Sequence, residues 1–194
     1  MAIVLGSDTI TGIAAGGLPD GVITRAEMGY SGAPMQVVTT RTRTQASFAV
    51  PVIAVGTGLT NAGVQLTPLN MTFTPYAAGN RVMLEWMVMG EANSHDMVYI
   101  ITRNGSIMSN SADANRWSGI VTNDYDPDYA STPVLTTIRF IDTSCLGSST
   151  TYAIHMRSSG GTARTFWLNS AYANRGADNY EAGASVGIAT EYKA

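Results

Sequence analysis

The sequence predicts an all-β protein, an antiparallel β-sandwich of jelly-roll-like order. Three observations carry that expectation. From Pro34 onward apolar residues recur with a period of two, and no segment sustains a period near 3.6. Clusters of Gly, Asn, Asp, Pro and Ser punctuate the chain at short intervals, as strand boundaries should. Asn104-Gly105, between two extended runs, supplies the two positive φ angles of a tight type I′ hairpin.

The elements follow in order. Residues 1–33 read as an N-terminal arm, GSDTITGIAAGGLPDGVITRAEMG at its heart. Such a segment buries little apolar area, while each ordered residue costs roughly 1–2 kcal/mol of backbone entropy. A neighbour must therefore order it. Thr24-Arg-Ala-Glu27 has capping-box spacing for a helical turn, which Gly29 and Gly32-Ala-Pro34 would end. Residues 34–194 read as one β domain. Strands are expected at about 35–44, 64–74, 80–90, 96–103, 106–110, 116–122, 133–142, 150–158, 163–170 and 183–192.

Alternation assigns faces. Val82, Leu84, Trp86 and Val88 share one side of their strand and read as core. Met83, Glu85, Met87 and Met89 share the other with Arg81, a row too apolar for free solvent. Arg139, between Thr137 and Ile141, and His155 and Arg157, after Thr151 and Ala153, repeat this mixture on later strands. Met83, Glu85, Met87, Arg139, His155 and Arg157 are thus candidates for packing against a symmetry mate.

Composition narrows the classes. Of the 194 residues, 45% are hydrophobic, enough for a real core, and only 13% are charged, about half the usual share. A monomer with so few charges is poorly defended against association, so other subunits are expected to cover much of the surface. The net charge of −3 argues against a general nucleic-acid binder. The bases are Arg except for Lys193, and Arg tolerates interface burial better than Lys. Cys145, the only cysteine, excludes an internal disulfide and fits a reducing cytoplasm. It should be buried or half-buried. Met1-Ala-Ile-Val-Leu lacks a basic n-region and a long apolar core, so no signal peptide is expected. No stretch approaches the roughly 18 apolar residues of a membrane span.

Chemistry-bearing constellations are sparse, and no enzyme, metal or cofactor is expected. Asp124-Tyr-Asp-Pro-Asp128 reads as a solvated loop, lacking the Gly and distal Glu of a calcium-binding loop. Tyr125 and Tyr129 make it a candidate contact surface. His95 and His155 are far apart in sequence, and Ser94-His95-Asp96 cannot form a triad because adjacent strand residues point oppositely. Glu85 and Glu91 are isolated. Trp86 is core, whereas Trp117 and Trp167 lie near loops and are the candidates for stacking on sugar. Arg41 and Arg43 point to one side of a strand, to engage an acidic partner or to guard a sheet edge. Loops near 91–96, 110–130 and 158–180 are the expected outer surface.

The order of features resembles small tail-fibre proteins of tailed, cyanophage-like bacteriophages. The resemblance lies in Gly16-Gly-Leu-Pro-Asp-Gly21, Val22 to Met28, Met35-Gln-Val-Val38 and Leu69-Asn-Met-Thr-Phe-Thr-Pro75. It continues through Asn80-Arg-Val-Met-Leu-Glu-Trp86, Tyr99-Ile-Ile-Thr-Arg-Asn-Gly105 and Thr151-Tyr-Ala-Ile-His-Met-Arg157. It implies a homotrimeric jelly-roll or tumour-necrosis-factor-like domain behind a Gly-rich leader, and a virion part that attaches to the host. On that reading Leu18, Pro19, Ile23 and Arg25 anchor the arm to other virion proteins. The six face residues named above become a trimer interface, and Trp117, Tyr125, Tyr129 and Trp167 become receptor-binding candidates. A host surface glycan or protein is a further expected partner, while nucleic acid and membrane insertion are not expected. Synthesis in the host cytoplasm and location on the virion, at the tail or the capsid surface, follow. With one β domain and no coiled coil or shaft, the chain would be a short fibre or tip. The alternatives are a trimeric capsid decoration protein and, from another class, a carbohydrate-binding module.

Overall fold

A computed structural model describes residues 32–53, 60–95, 97–108, 119–124, 132–158, 162–172 and 181–194. The arm residues Leu18, Pro19, Ile23 and Arg25, the expected helical turn, and Trp117, Tyr125 and Tyr129 lie outside the described residues.

The described strands are β1 (Pro34–Thr42), β2 (Ala46–Val50), β3 (Val64–Gln65), β4 (Met71–Phe73), β5 (Arg81–Ala92) and β6 (Met97–Arg103). They continue with β7 (Ser106–Ile107), β8 (Val121–Thr122), β9 (Val134–Asp142), β10 (Thr150–Ser158), β11 (Arg164–Leu168) and β12 (Ser185–Tyr192). They form two six-stranded sheets whose ladders are antiparallel. In the first, β5 pairs with β9 on one side and with β12 and β11 on the other, and these pair in turn with β1 and β2. In the second, β10 and β6 are central, with β3 and β4 flanking β10 and with β7 and β8 flanking β6. The expected all-β antiparallel architecture is therefore what the chain adopts.

The alternation in β5 explains the packing. Val82, Leu84, Trp86 and Val88 are fully buried and join Tyr99, Ile101, Tyr152, Ile154 and Met156 of the second sheet in one core. The buried Trp86 indole donates its Nε1–H to the Leu69 carbonyl at 3.0 Å, so its one polar atom is satisfied. Gly90 lets β11 cross close to β5, since a Cβ there would run into the Trp167 carbonyl and the Phe166 ring. The β6–β7 hairpin turns at Asn104 (φ 48°) and Gly105 (φ 81°), the two positive angles expected of it.

Two elements differ from expectation. The single strand expected at 64–74 is split into β3 and β4 by a 3-10 turn at Thr67–Leu69. Pro68 explains the break, because it fixes φ and has no N–H for a ladder. The turn tucks Leu69 into the core beside Leu66. Strand β2, ASFAV, was not expected. It is five residues long and carries only Phe48 and Val50 among the small residues Ala46, Ser47 and Ala49, so its period is weak; pairing with β11 makes it a strand.

The six residues grouped as one interface divide between the sheets. Met83, Glu85 and Met87 lie on β5 and Arg139 on its neighbour β9, all on the outer face of the first sheet. His155 and Arg157 lie on β10 in the second sheet and are buried. They are internal because β10 is covered on both faces: Arg157 donates to the Asn61 carbonyl at 3.0 Å, and His155 Nε2 is 3.0 Å from Thr102 Oγ1.

Candidate functional site

The outer face of the first sheet can be built row by row from the register. Met83 is opposite Ile141 on β9 and Thr190 on β12, and Thr190 is opposite Val37 on β1. The next row is Arg139, Glu85, Ile188 and Thr39, and the one after it Thr137, Met87, Val186 and Arg41. Met89 and Leu135 continue the face. Leu135 is 60% exposed, Val37 59%, Ile141 53% and Met87 39%. Four strands thus present a largely apolar surface with one ion pair at its middle. Arg139 donates from Nε (2.9 Å) and Nη2 (2.6 Å) to the same Glu85 oxygen. Glu85, isolated in sequence, is therefore paired across the ladder. An exposed pair of this kind contributes about 0–1 kcal/mol in water.

The same sheet contains a seam. β12 lies against Arg81–Met87 of β5, and β11 lies farther along against Gly90–Ala92, on the same side and in the same direction. They form one column, interrupted between Leu168 and Ser185. β1 and β2 form the adjacent column, interrupted at 43–45. Asn169, at φ 59°, ties the two breaks together. Its Nδ2 donates to the carbonyls of Thr42 (3.2 Å) and Thr44 (3.0 Å). Its Oδ1 accepts from Ser185 Oγ at 2.7 Å, and its backbone N–H bonds the Met89 carbonyl at 2.8 Å. A pocket opens at this level, lined by Arg41, Arg43, Ala182, Gly183 and Ala184.

Trp167 stands on the same outer face, opposite Glu91. Its ring meets Tyr172 edge-to-face, with centroids 4.3 Å apart. Glu91 is buried and accepts the Tyr172 backbone N–H at 2.6 Å, which holds the segment after β11 against the sheet. Trp167 is thus next to a loop, as expected, but it is half-buried and coupled to an aromatic neighbour. Tyr172 was missed by sequence reasoning; nothing in its local pattern separates it from the other loop tyrosines.

Two buried carboxylates organise the chain beyond this face. Asp142, at the end of β9, accepts from Arg103 (2.8 Å) and the Tyr152 hydroxyl (2.7 Å) of the second sheet and from the Ser144 N–H (3.0 Å). Glu191 on β12 accepts from Asn80 Nδ2 (2.6 Å), Gln36 Nε2 (2.5 Å) and the Tyr76 N–H (3.0 Å). Burial and the hydrogen bond to Asp142 push the Tyr152 hydroxyl far above its ordinary range. Cys145 is buried between these sites. Desolvation first, and then the charges of Glu191 and Asp142, raise its thiol to about 11. Such a thiol is an inert structural group at neutral pH. Among the described residues no group of three or more His, Cys, Asp or Glu could hold a metal ion. No helix is long and apolar enough to cross a membrane, among the described residues.

Burial also lowers the His155 imidazole from its ordinary 6.5, only partly opposed by the Gly63 carbonyl. The folded chain therefore binds this proton less readily than the unfolded chain. The contribution is fully present above about pH 6.5 and is lost as pH falls toward the depressed folded value. Melting temperatures at pH 7.5 and 5.5 should show a smaller acid loss in His155→Gln than in the unsubstituted chain. Parallel losses would remove His155 as the cause.

The fold defines an all-β protein of two antiparallel sheets around a shared core, with an apolar outer face on one of them. No family model matches the chain, and no curated protein matches it. One solved structure it is similar to is dimeric latent PorU from Porphyromonas gingivalis, at 9% identity and a TM-score of 0.35. That match covers 85% of this chain, which spans 14% of the length of that one.

Proposed function

We propose that the chain is a structural protein of a bacteriophage virion, a short homotrimeric tail fibre or fibre tip that mediates host attachment. The observation that carries the self-association is the β9 side of the outer face of the first sheet, where Met87, Leu135 and Ile141 stand exposed on the adjoining strands β5 and β9. Contiguous apolar patches of this kind are usually covered by a partner. The low charged fraction points the same way. A second copy of the chain is the occupant, with the Glu85–Arg139 pair giving the contact its polar registration. The resemblance of the arm and strand motifs to tail-fibre proteins supports the virion role. In this reading the arm docks on another virion protein, and three copies multiply a weak receptor contact through effective concentration. A jelly-roll-like domain is the form in which the sandwich would serve this role.

Leu135→Glu with Ile141→Glu tests the interface. Both side chains are exposed in the single chain, so each substitution should change folding stability by no more than about 0.5 kcal/mol. Light scattering should record a trimer for the parent and a monomer for the double variant. A monomeric parent would end the proposal. Imaging of the assembled particle then locates the protein: density at the tail supports attachment, and density on the capsid replaces it with decoration.

A further inference from the structure

The pocket at the seam of the first sheet has the chemistry of an oxyanion site. Arg41 and Arg43 are exposed and line one wall, and Ala182, Gly183 and Ala184 line the other. Among the described residues, neither guanidinium makes an ion pair or a side-chain hydrogen bond. Glu181, next to the small-residue wall, is exposed and pairs with neither. Two unneutralised cations side by side repel, and this chain has few cations to place.

The pocket is built as well as charged. Asn169 pins the Thr42 and Thr44 carbonyls on the arginine side, and its own carbonyl accepts the Gly183 N–H at 3.4 Å on the other. Ser170 and Ala182 form a β-bridge just beyond. Gly183 packs so closely on Met89 that a Cβ would meet its sulfur. Each wall is thus tethered to the sheet through one buried asparagine, and the backbone carrying the arginines is held before any ligand arrives. The wall of Ala, Gly and Ala leaves room for a bulky group to approach.

The aromatic pair shares this face, on the side of β5 away from β9 and from the proposed contact between copies. Arg41 is in register with Val186, and Val186 with Met87; Trp167 is in register with Glu91, two pleats farther along β5. At about 3.4 Å per residue, the two rows are about 14 Å apart. Tyr172, which is 40% exposed, rests against Trp167 beside the seam. A cationic fork at one end and an aromatic surface at the other match a ligand with both a carboxylate and an apolar ring face.

From this arrangement we infer that the seam binds an acidic saccharide, its carboxylate held by Arg41 and Arg43 and a neighbouring sugar ring lying against Tyr172. Guanidinium forks pair with carboxylates through two parallel bonds, and aromatic rings offer rigid contact area with a polar end. The arginines and the aromatic pair stand on different rows of the sheet, which linked sugar units can reach together. As the ligand of the attachment surface, this assignment rests on the proposed function for its biological meaning. The binding itself needs no particle and is tested on the purified protein.

The experiment is calorimetric titration of the full chain with oligogalacturonate, with its fully methyl-esterified form, with inorganic sulfate and with oligoglutamate. Oligogalacturonate should bind, and esterification should weaken binding at least about tenfold, since it removes the charge and keeps the ring. Arg41→Gln with Arg43→Gln should abolish the difference between acid and ester, with an unchanged circular dichroism spectrum and melting temperature. Tyr172→Ala should weaken oligogalacturonate several-fold and leave sulfate binding unaltered. Equal binding of acid and ester, unaltered binding by the double-arginine variant, or absence of binding would each overturn the inference. Oligoglutamate bound as tightly as oligogalacturonate would overturn it in favour of an acidic peptide. Loss of the virion location with retained oligogalacturonate binding would instead leave the site standing and remove only the attachment role.

Discussion

Trp86→Ala is expected to destabilise the fold by about 3–5 kcal/mol, the usual cost of truncating a buried tryptophan to alanine. Trp86 sits at the middle of β5 with no exposed surface and packs among residues of both sheets. Three things are lost together: the transfer free energy of the indole, the contacts around the void that remains, and the hydrogen bond to Leu69. The void is poorly placed to collapse, because β5 is held by β9 on one side and by β11 and β12 on the other. The Leu69 carbonyl, in the turn that plugs the core, is left without its donor. Urea unfolding should show a lower midpoint with a nearly unchanged slope. Trp86→Phe should recover much of the loss, as it restores ring volume without the N–H. A cost for alanine below about 1 kcal/mol would mean that Trp86 is not the centre of the core.

Asp142→Ala should cost about 3 kcal/mol, by a different route. The carboxylate is buried and joins the sheets, accepting from Arg103 and Tyr152 of the second while it ends β9 of the first. Its removal strands a guanidinium and a phenol that were arranged around a charge. Breaking a buried pair typically costs 3–5 kcal/mol. The lower end applies because the Arg103 side chain is 24% exposed and can regain water. Arg139→Ala, which breaks the exposed pair with Glu85, is the contrast, and should cost no more than about 1 kcal/mol in the single chain. If the two variants unfold at the same urea concentration, the inter-sheet network is not a stabilising element.

Much of the fold was legible along the chain. The residues of β5 alternate so cleanly that their core side, Val82 to Val88, could be read directly, and burial agrees at each position. The Asn104-Gly105 turn was legible because its φ angles are a property of two residues. β10 was legible as a strand but not as a doubly covered one, so His155 and Arg157 were grouped with an outer face to which they do not belong. Strand alternation says which residues share a side; it does not say what lies against that side.

The candidate sites divide in the same way. The apolar outer row of β5 was visible as Met83, Met87 and Met89, yet its extension through Val37, Leu135 and Ile141 needed the register of three ladders. Arg41 and Arg43 were visible as a pair on one side of a strand. That they face Gly183, and that Asn169 ties both walls, required two broken columns to meet at one level.

Most strands, the Asn104-Gly105 turn and the core side of β5 were determined by the sequence alone, because side-chain period and turn chemistry act over a few residues. Strand partners, the covering of β10, the pairing of Glu85 with Arg139, and the seam pocket were decided only by the tertiary structure. Each brings together residues tens of positions apart, and such contacts depend on the free energy of the whole packing rather than on any local preference.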